Sequence, residues 1–423
     1  MRLPSLIRHK RRPFYGWVVI ITFLIIGTVL LGVQLSFGVF FKSIAGEFNL
    51  TRTVTSSILS TNIILASMCA FLGGWASDRY GPRTVVLSMG ILVGVSLLLT
   101  SQVSSPWQLF ITYSLLLSIG TGAAFVILAA TTARWFDKKR GLALGIAGSG
   151  QGLGTIVMAP LATYFIVNLD WRMAYIVIGI IAWLTVIPLS LLLKKDPAEI
   201  GAQPDGTSSH LHDIASEAKS SQSSTFSLSK ILRNRNFWFI LFMWIFFASG
   251  KFLIFTHLVP HATDLGFSAG EAATVLSLIG VTIIVGRVFI GSISDKIGRK
   301  LAVIICALLL TATMIWLIYL VELWMFYLFA LFFGFATGGF ACCVGALIGD
   351  TFELDTIGAN MGMLEIGAGI GGAVGPAMGG LIFDLSSSYS AAFSVAAVAL
   401  LAAAVLTGLV KRTTDKHIVT GHR

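Results

Sequence analysis

The stretch Gly74-Trp-Ala-Ser-Asp78-Arg79-Tyr-Gly81-Pro-Arg83 returns 217 residues later as Gly291-Ser-Ile-Ser-Asp295-Lys296-Ile-Gly298-Arg299. Each copy follows a long apolar run. The offset is close to half of the 423-residue chain. A repeat at this spacing indicates that the chain consists of two similar halves.

The composition is that of a membrane protein. Hydrophobic residues make up 56% of the chain and charged residues only 11%, whereas a soluble domain carries about 25% charged residues. Runs of about 20 apolar residues cross a bilayer as helices. The sequence predicts twelve such spans: 15–41, 54–76, 84–103, 107–132, 141–166, 173–193, 236–259, 269–293, 301–321, 324–348, 359–383 and 389–410.

A polar, serine-rich segment divides the spans into two groups of six. It lacks hydrophobic periodicity and contains too few apolar residues to fold alone, so we expect a flexible cytoplasmic linker at 196–235. The predicted fold is an all-α membrane protein with two pseudo-symmetric six-helix bundles, 1–195 and 236–423. Parallel repeats of this kind place a substrate site between the halves, near the middle of the membrane.

The net charge is +10, and membrane topology accounts for it, because lysine and arginine are concentrated in alternate loops. Positive residues cluster at both termini and in every second loop, which predicts that both termini lie in the cytoplasm. This distribution argues against nucleic-acid binding.

The first apolar run is too long for a cleavable signal peptide. Four cysteines fall within predicted spans, where we expect free thiols. No large extramembrane domain suggests a protein partner, and we expect a monomer.

The repeated loop pattern resembles the signature of the major facilitator superfamily. Within it, the chain is similar to the monocarboxylate porters and their bacterial oxalate–formate exchanger relatives, through Tyr15-Gly16-Trp17, Phe37-Gly-Val-Phe-Phe-Lys42, Arg134-Trp-Phe-Asp-Lys-Lys-Arg140 and Gly286-Arg287. The resemblance implies a transporter of the bacterial inner membrane. It also implies an ionic latch at the loop motifs, for which the alternative is a static cytoplasmic anchor. The latch residues would be Asp78, Arg79, Arg83, Asp295, Lys296 and Arg299.

Three ionisable residues lie deep within predicted spans. Counted from the cytoplasmic side at 1.5 Å per residue, Arg287 lies at roughly 12 Å, Glu365 at roughly 15 Å and Lys251 at roughly 22 Å. Burial of a charge at such depth costs roughly 3 kcal/mol or more, so a partner of opposite charge is expected. Two cations and one acid leave a positive excess that a bound carboxylate would balance.

Arg287 is therefore the leading substrate-binding candidate, because a guanidinium donates two parallel hydrogen bonds to a carboxylate. The resemblance also aligns it with the arginine that the family uses on its anionic substrate. The alternative is a structural pair with Glu365. Lys251 is either a second anion anchor, a proton carrier, or a side chain that reaches the outer interface.

Further candidates have equally plain structural explanations. Glu365 and His257 could carry a proton, although His257 could also be a hydrogen-bonded interface histidine. Tyr113, Gln34 and Asn360 could line the binding cavity, together with Asn62 and Gln151. Ordinary interhelical hydrogen bonding explains each of these equally well.

The chain departs from the family at coupling positions. Ile283 stands where the animal carriers have an aspartate, Leu35 where they have a lysine, and Ala368 is nearest to the exchangers' lysine. Proton-coupled transport of small carboxylates and proton-independent exchange therefore both stay open. The spans contain neither paired His/Glu metal spacing nor a nucleophile motif, so we expect no metal, no cofactor and no enzyme. A flux measurement would distinguish a transporter from a receptor that binds the solute without transporting it.

Overall fold

The computed structural model describes residues 14–136, 140–204, 233–351 and 357–410, without the side chains of 140, 349, 350 and 357–364. Most of the predicted linker and the Asn360 side chain thus lie outside the described residues. Twelve helices in the described part are long and apolar enough to cross a membrane, which confirms the predicted spans. They are α1 (Tyr15–Glu47), α2 (Arg52–Tyr80), α3 (Pro82–Ser101), α4 (Pro106–Trp135), α5 (Gly141–Asn168), α6 (Trp171–Ser190), α7 (Arg235–Asp264), α8 (Ala269–Ile297), α9 (Arg299–Ile318), α10 (Leu323–Ile348), α11 (Glu365–Ser386) and α12 (Ser390–Leu409).

Several spans are interrupted, which the apolar pattern did not predict. α1 consists of Tyr15–Leu35 and Phe37–Glu47, so it continues past the predicted end at 41. α4 contains a π-helical segment, Phe110–Leu116. α5 breaks at Ser149, between Arg140–Gly148 and Gly150–Asn168. Such breaks change the backbone hydrogen bonding without changing hydrophobicity, and π segments occur often at functional sites.

The two loop-motif glycines adopt the same strained backbone conformation. Gly81 has φ +84° and ψ 154°, and Gly298 has φ +92° and ψ 137°. This region is essentially restricted to glycine. Each glycine ends one span and begins the next, so the two motifs form equivalent tight turns. We call the end of the molecule that carries these turns the motif end, and the other end the opposite end.

Helix α11 packs closely on two neighbours through its glycines. A Cβ added at Gly371 or Gly375 would lie 2.1 Å from a backbone carbonyl oxygen of α7, in the same half. On another face, a Cβ at Gly369 would lie 2.1 Å from the Ser67 hydroxyl of α2, in the other half. Small residues permit such close backbone approach between membrane helices.

The halves contact each other from the opposite end to about mid-depth. α5 meets α8 where Gly152 faces Gly280, each within 2.7 Å of a Cβ built on the other. Further toward the motif end on the same face of α5, a Cβ at Gly145 or Gly141 would meet nothing within 4 Å. Phe71, on the motif-end part of α2, is 80% exposed. The cleft between the halves therefore opens toward the motif end.

Candidate functional site

Arg287 lies where the contact between α5 and α8 ends. Its Nη1 donates to the Gly148 carbonyl oxygen at 2.7 Å, and its Nη2 donates to Gln151 Oε1 at 3.1 Å. Its Nε is buried and has no hydrogen-bond partner in the described part of the chain. Gly148 immediately precedes the break in α5. Within the described residues, the guanidinium thus links the two halves through neutral oxygens.

A small cavity adjoins this guanidinium. Its volume is about 50 Å³, and Arg287 and Gln151 are the polar side chains in a lining otherwise made of apolar residues such as Phe23, Leu30 and Phe125. The space accommodates a few water molecules. It is smaller than the several hundred Å³ of a usual ligand site. An anion that reaches Arg287 through this cavity must therefore displace Gln151 or widen the cavity.

Lys251 and Glu365 belong to the same electrostatic environment. The charge of Lys251 interacts with those of both Arg287 and Glu365, and its ammonium lies 5.0 Å from the centre of the Phe252 ring. Both side chains are partly buried. Among the described residues, no salt bridge joins Glu365 to either cation. The alternative pairing of Arg287 with Glu365 is therefore not formed, while the excess of interior positive charge stays a prediction.

The polar residues predicted on α1, α2 and α4 form one hydrogen-bonded group. Gln34 Nε2 donates to Asn62 Oδ1 at 2.8 Å, and Asn62 Nδ2 donates to the Tyr113 carbonyl oxygen at 3.1 Å. Tyr113 lies on the π-helical segment, and its buried hydroxyl has no partner among the described residues. No contact described in the structure joins this group to Arg287. Whether these residues line a substrate path stays a prediction.

His257 is fully buried near the opposite end. Its Nδ1 lies 3.1 Å from the Tyr389 hydroxyl, and its Nε2 lies 2.9 Å from the Pro376 carbonyl oxygen. The ring also meets Phe41 of the other half edge-on, with 5.3 Å between centroids. The histidine is therefore hydrogen-bonded at both nitrogens and lies at a contact between the halves.

At the motif end, the ion pairs of the predicted latch residues stay within one half. Asp78 accepts a hydrogen bond from Arg134 at 2.6 Å, and Asp295 pairs at 2.6 Å with Arg299, across the turn at Gly298 between α8 and α9. Arg83 and Lys296 are exposed, and Arg79 lies near the Trp75 and Tyr80 rings. Arg134 contacts the motif aspartate although it was not among the predicted latch residues.

A cluster that sequence reasoning missed connects the halves at the opposite end. Asp264 of α7 pairs with Lys42 of α1 at 2.6 Å and with Arg52 of α2 at 2.7 Å. Asp384 of α11 accepts from the backbone nitrogens of Arg52 and Thr53, at 3.0 and 2.8 Å. The available signal was that Lys42, Arg52, Asp264 and Asp384 all lie at ends of spans on the same predicted side.

The described residues contain no group of three or more His, Cys, Asp or Glu that could hold a metal ion. All four cysteines are free, as predicted. Cys306 and Cys343 are buried packing residues, whereas Cys342 is exposed.

Comparisons with known proteins agree on a transporter family. A family model described as the Major Facilitator Superfamily matches residues 18–268 and 252–421. Monocarboxylate transporter 13 of Bos taurus is 27% identical over 400 residues, which cover 92% of this chain and 87% of the relative. Monocarboxylate transporter 12 of Xenopus laevis is 25% identical over 419 residues, which cover 95% and 90%.

Solved structures show the same architecture. A bacterial homolog of the human lysosomal transporter Spinster, in an inward-facing and occupied conformation, matches with a TM-score of 0.69 at 15% identity, covering 94% of this chain and 97% of that chain. Its inward-facing, unoccupied form matches with a TM-score of 0.68 at 14% identity, covering 94% and 96%. At this identity the likeness concerns the fold alone.

Proposed function

Because the chain belongs to the Major Facilitator Superfamily, whose members here are transporters and not enzymes, we propose that it carries small organic anions, above all monocarboxylates, by alternating access coupled to protons. One observation carries this proposal. Arg287 is held at the contact between the halves, and within the described residues it donates only to neutral oxygens. A positive charge in the membrane interior without an acidic partner favours an anionic cargo.

The contacts of Arg287 support a specific mode of binding. A carboxylate would replace Gln151 Oε1 and the Gly148 carbonyl oxygen as acceptor. Charge-assisted, bidentate hydrogen bonds are stronger than bonds to neutral amides, so the exchange is favourable once the anion loses its water. Lys251 would contribute a second positive charge, with Tyr113, Gln34 and Asn360 as lining residues. Glu365, His257 or Lys251 would carry the proton.

The position of the cleft supports alternating access. Positive residues flank the motif end, which by the positive-inside rule supports a cytoplasmic location for this end. In that orientation the described conformation would face inward. Closure of the motif end and opening of the opposite end would then expose Arg287 to the other side. The latch of Asp78, Arg79, Arg83, Asp295, Lys296 and Arg299 would form in that outward-facing state.

We further infer a monomer in the inner membrane of a bacterium, with both termini in the cytoplasm. The two bundles, 1–195 and 236–423, would be joined by the polar linker at 196–235. The partners would be a small carboxylate, protons and lipid, with no nucleic acid and no cofactor.

A second candidate is carboxylate exchange without protons. It is favoured by Ile283, which is 2% exposed and stands one turn before Arg287. An apolar side chain at this position cannot take up a proton, so coupling would need another residue.

Uptake of radiolabelled lactate, pyruvate, formate and oxalate into proteoliposomes tests the proposal. We expect uptake of at least one acid in wild type, and loss of that uptake in Arg287→Gln. Arg287→Lys should retain part of it, because the charge remains but the fork-shaped donor pair does not. Arg235→Gln, at the start of α7, serves as the control and should transport normally.

Two further measurements separate the candidates. Stimulation by an inwardly directed proton gradient indicates proton coupling, whereas stimulation by internal substrate with no effect of the gradient indicates exchange. Uptake that is unchanged in Arg287→Gln would overturn the assigned role of this residue.

A further inference from the structure

The hydrogen bonds of His257 fix which of its nitrogens carries the hydrogen. The Pro376 carbonyl oxygen, 2.9 Å from Nε2, can only accept, so Nε2 donates. In the neutral ring Nδ1 is then an acceptor. The Tyr389 hydroxyl, 3.1 Å away, must therefore donate to Nδ1. Gly379 leaves room for this ring, since a Cβ there would lie 3.0 Å from Nε2.

The chain of hydrogen bonds continues into the other half. The Tyr389 oxygen accepts from Arg52 Nη1 at 2.5 Å. Arg52 belongs to α2, while Tyr389, His257 and Pro376 belong to the second half. All donors thus point one way, from Arg52 through Tyr389 and His257 to Pro376.

Arg52 is the most extensively bonded residue of the opposite-end cluster. Its Nη2 pairs with Asp264 at 2.7 Å, and its backbone nitrogen donates to Asp384 at 3.0 Å. Its guanidinium carbon lies 3.6 Å from the centre of the Phe383 ring. Every one of these partners, like Tyr389, lies in the second half. Weakening the hold on Arg52 therefore weakens the contact between the halves.

We propose that Nδ1 of His257 is a proton-binding site that opens the contact between the halves at the opposite end. A proton on Nδ1 turns this atom from an acceptor into a donor, so the Tyr389 hydroxyl hydrogen loses its acceptor. The Tyr389 oxygen then faces two cationic donors, His257 and Arg52. Their like charges repel in a poorly solvated site, and the bridge from Arg52 to Tyr389 weakens.

The other charged groups around the site do not provide a ready counter-ion. Asp264 is shared by Lys42 and Arg52, and Asp384 is occupied by the nitrogens of Arg52 and Thr53. The titratable and charged groups that interact with His257 are Arg52 of α2, Asp384 of α11 and Tyr389, which precedes α12. Next to these lie Asp264 of α7, which pairs with Arg52 and with Lys42 of α1, and His261 of α7, which contacts the Tyr389 ring. This proton site concerns the conformation of the empty protein, so it does not depend on which solute is carried.

Distance measurements between spin labels test the proposal on the full chain in lipid nanodiscs without solute. The labels are placed at Gln102→Cys and Val321→Cys, exposed positions at the opposite end in different halves, after replacement of the four native cysteines. Opening of the contact lets water reach His257, so the open form takes up the proton between about pH 8 and about pH 5, the interval in which a solvated histidine titrates. Over this interval we expect the long-distance population to rise about fivefold. This factor corresponds to the loss of one hydrogen bond.

Three variants identify the responsible group. His257→Gln keeps a donor for Pro376 but cannot take up the proton, so the pH response should disappear. Tyr389→Phe removes the relay and should also abolish the response, while raising the long-distance population at every pH. His261→Gln is the matched control, because His261 lies one turn away and contacts the Tyr389 ring edge-on at 5.5 Å. It should keep the full response.

The proposal is overturned by any of three results. These are a wild-type distance that does not change with pH, a response that persists in His257→Gln or Tyr389→Phe, and a response that is lost in His261→Gln. Since no solute is added, a failure here leaves the carboxylate proposal untouched, and a failed uptake assay leaves this one untouched.

Discussion

The contact between α5 and α8 can be tested by adding a single methyl group. In Gly280→Ala, the new Cβ would lie 2.5 Å from the Gly152 carbonyl oxygen and 3.0 Å from Ile156 Cγ1. Ordinary contact begins at 3.4 Å, so the helices must separate by about 0.9 Å. A backbone carbonyl cannot rotate away without moving its helix. Overpacking of this kind costs about 1–3 kcal/mol.

Gly152 and Gly280 belong to different halves, so the added methyl group destabilises only the conformation in which α5 and α8 are in contact. The described arrangement should therefore lose population by about 5- to 150-fold relative to conformations in which α5 and α8 lie further apart. The labels at Gln102→Cys and Val321→Cys report the change as a larger long-distance population. Circular dichroism and the melting temperature in detergent check that each half keeps its fold.

Gly145→Ala is the matched control. It adds a methyl group to the face of α5 that carries Gly152, but the new Cβ meets nothing within 4 Å, so the wild-type distances should be kept. If Gly280→Ala folds normally and shows wild-type distances, the backbones do not approach as closely as the structure describes, and the mechanical link between the halves must lie elsewhere.

Three further predictions concern the ends of the helices. Asp264→Asn removes the shared carboxylate of two partly exposed ion pairs, each worth about 0.2–1 kcal/mol. The long-distance label population should therefore rise about two- to thirtyfold, and added salt should reduce the difference from wild type. Gly298→Ala forces a side chain to φ +92° at about 1–3 kcal/mol, which should appear as a clearly lower melting temperature in detergent; an unchanged value would mean that the turn can relax. Asp78→Asn loses a largely exposed pair with Arg134, so the melting temperature should correspond to a loss below about 1 kcal/mol, and a larger loss would show that this pair supports the fold.

The sequence was sufficient for the number and order of the helices. A membrane-spanning segment has to satisfy its backbone internally and match a fixed thickness, so apolar length alone locates it. The breaks at Ser36 and Ser149 and the π-helical segment were not predictable in this way, because they alter the backbone without altering the apolar pattern. The turns at Gly81 and Gly298 were predictable, since only glycine tolerates their conformation.

The candidate site was predicted in part. The depth of Arg287 follows from its position within an apolar run, but its acceptors on Gly148 and Gln151 lie more than a hundred residues away in sequence. Asn62 was named only as a lining residue, yet it connects Gln34 to Tyr113. The opposite-end pairs of Lys42 and Asp264 were missed because each residue alone looks like an ordinary charged helix end.

The sequence by itself determined that the chain crosses the membrane twelve times as two related halves and that positive charge is placed within its interior. These are properties of individual segments, because the length and polarity of each segment decide whether it crosses the bilayer. Only the tertiary structure decided which charges are paired, that the halves join at the opposite end, and that Arg287 meets no carboxylate among the described residues. A hydrogen bond or an ion pair acts over a few ångströms in space, and the partners here come from opposite halves of the chain.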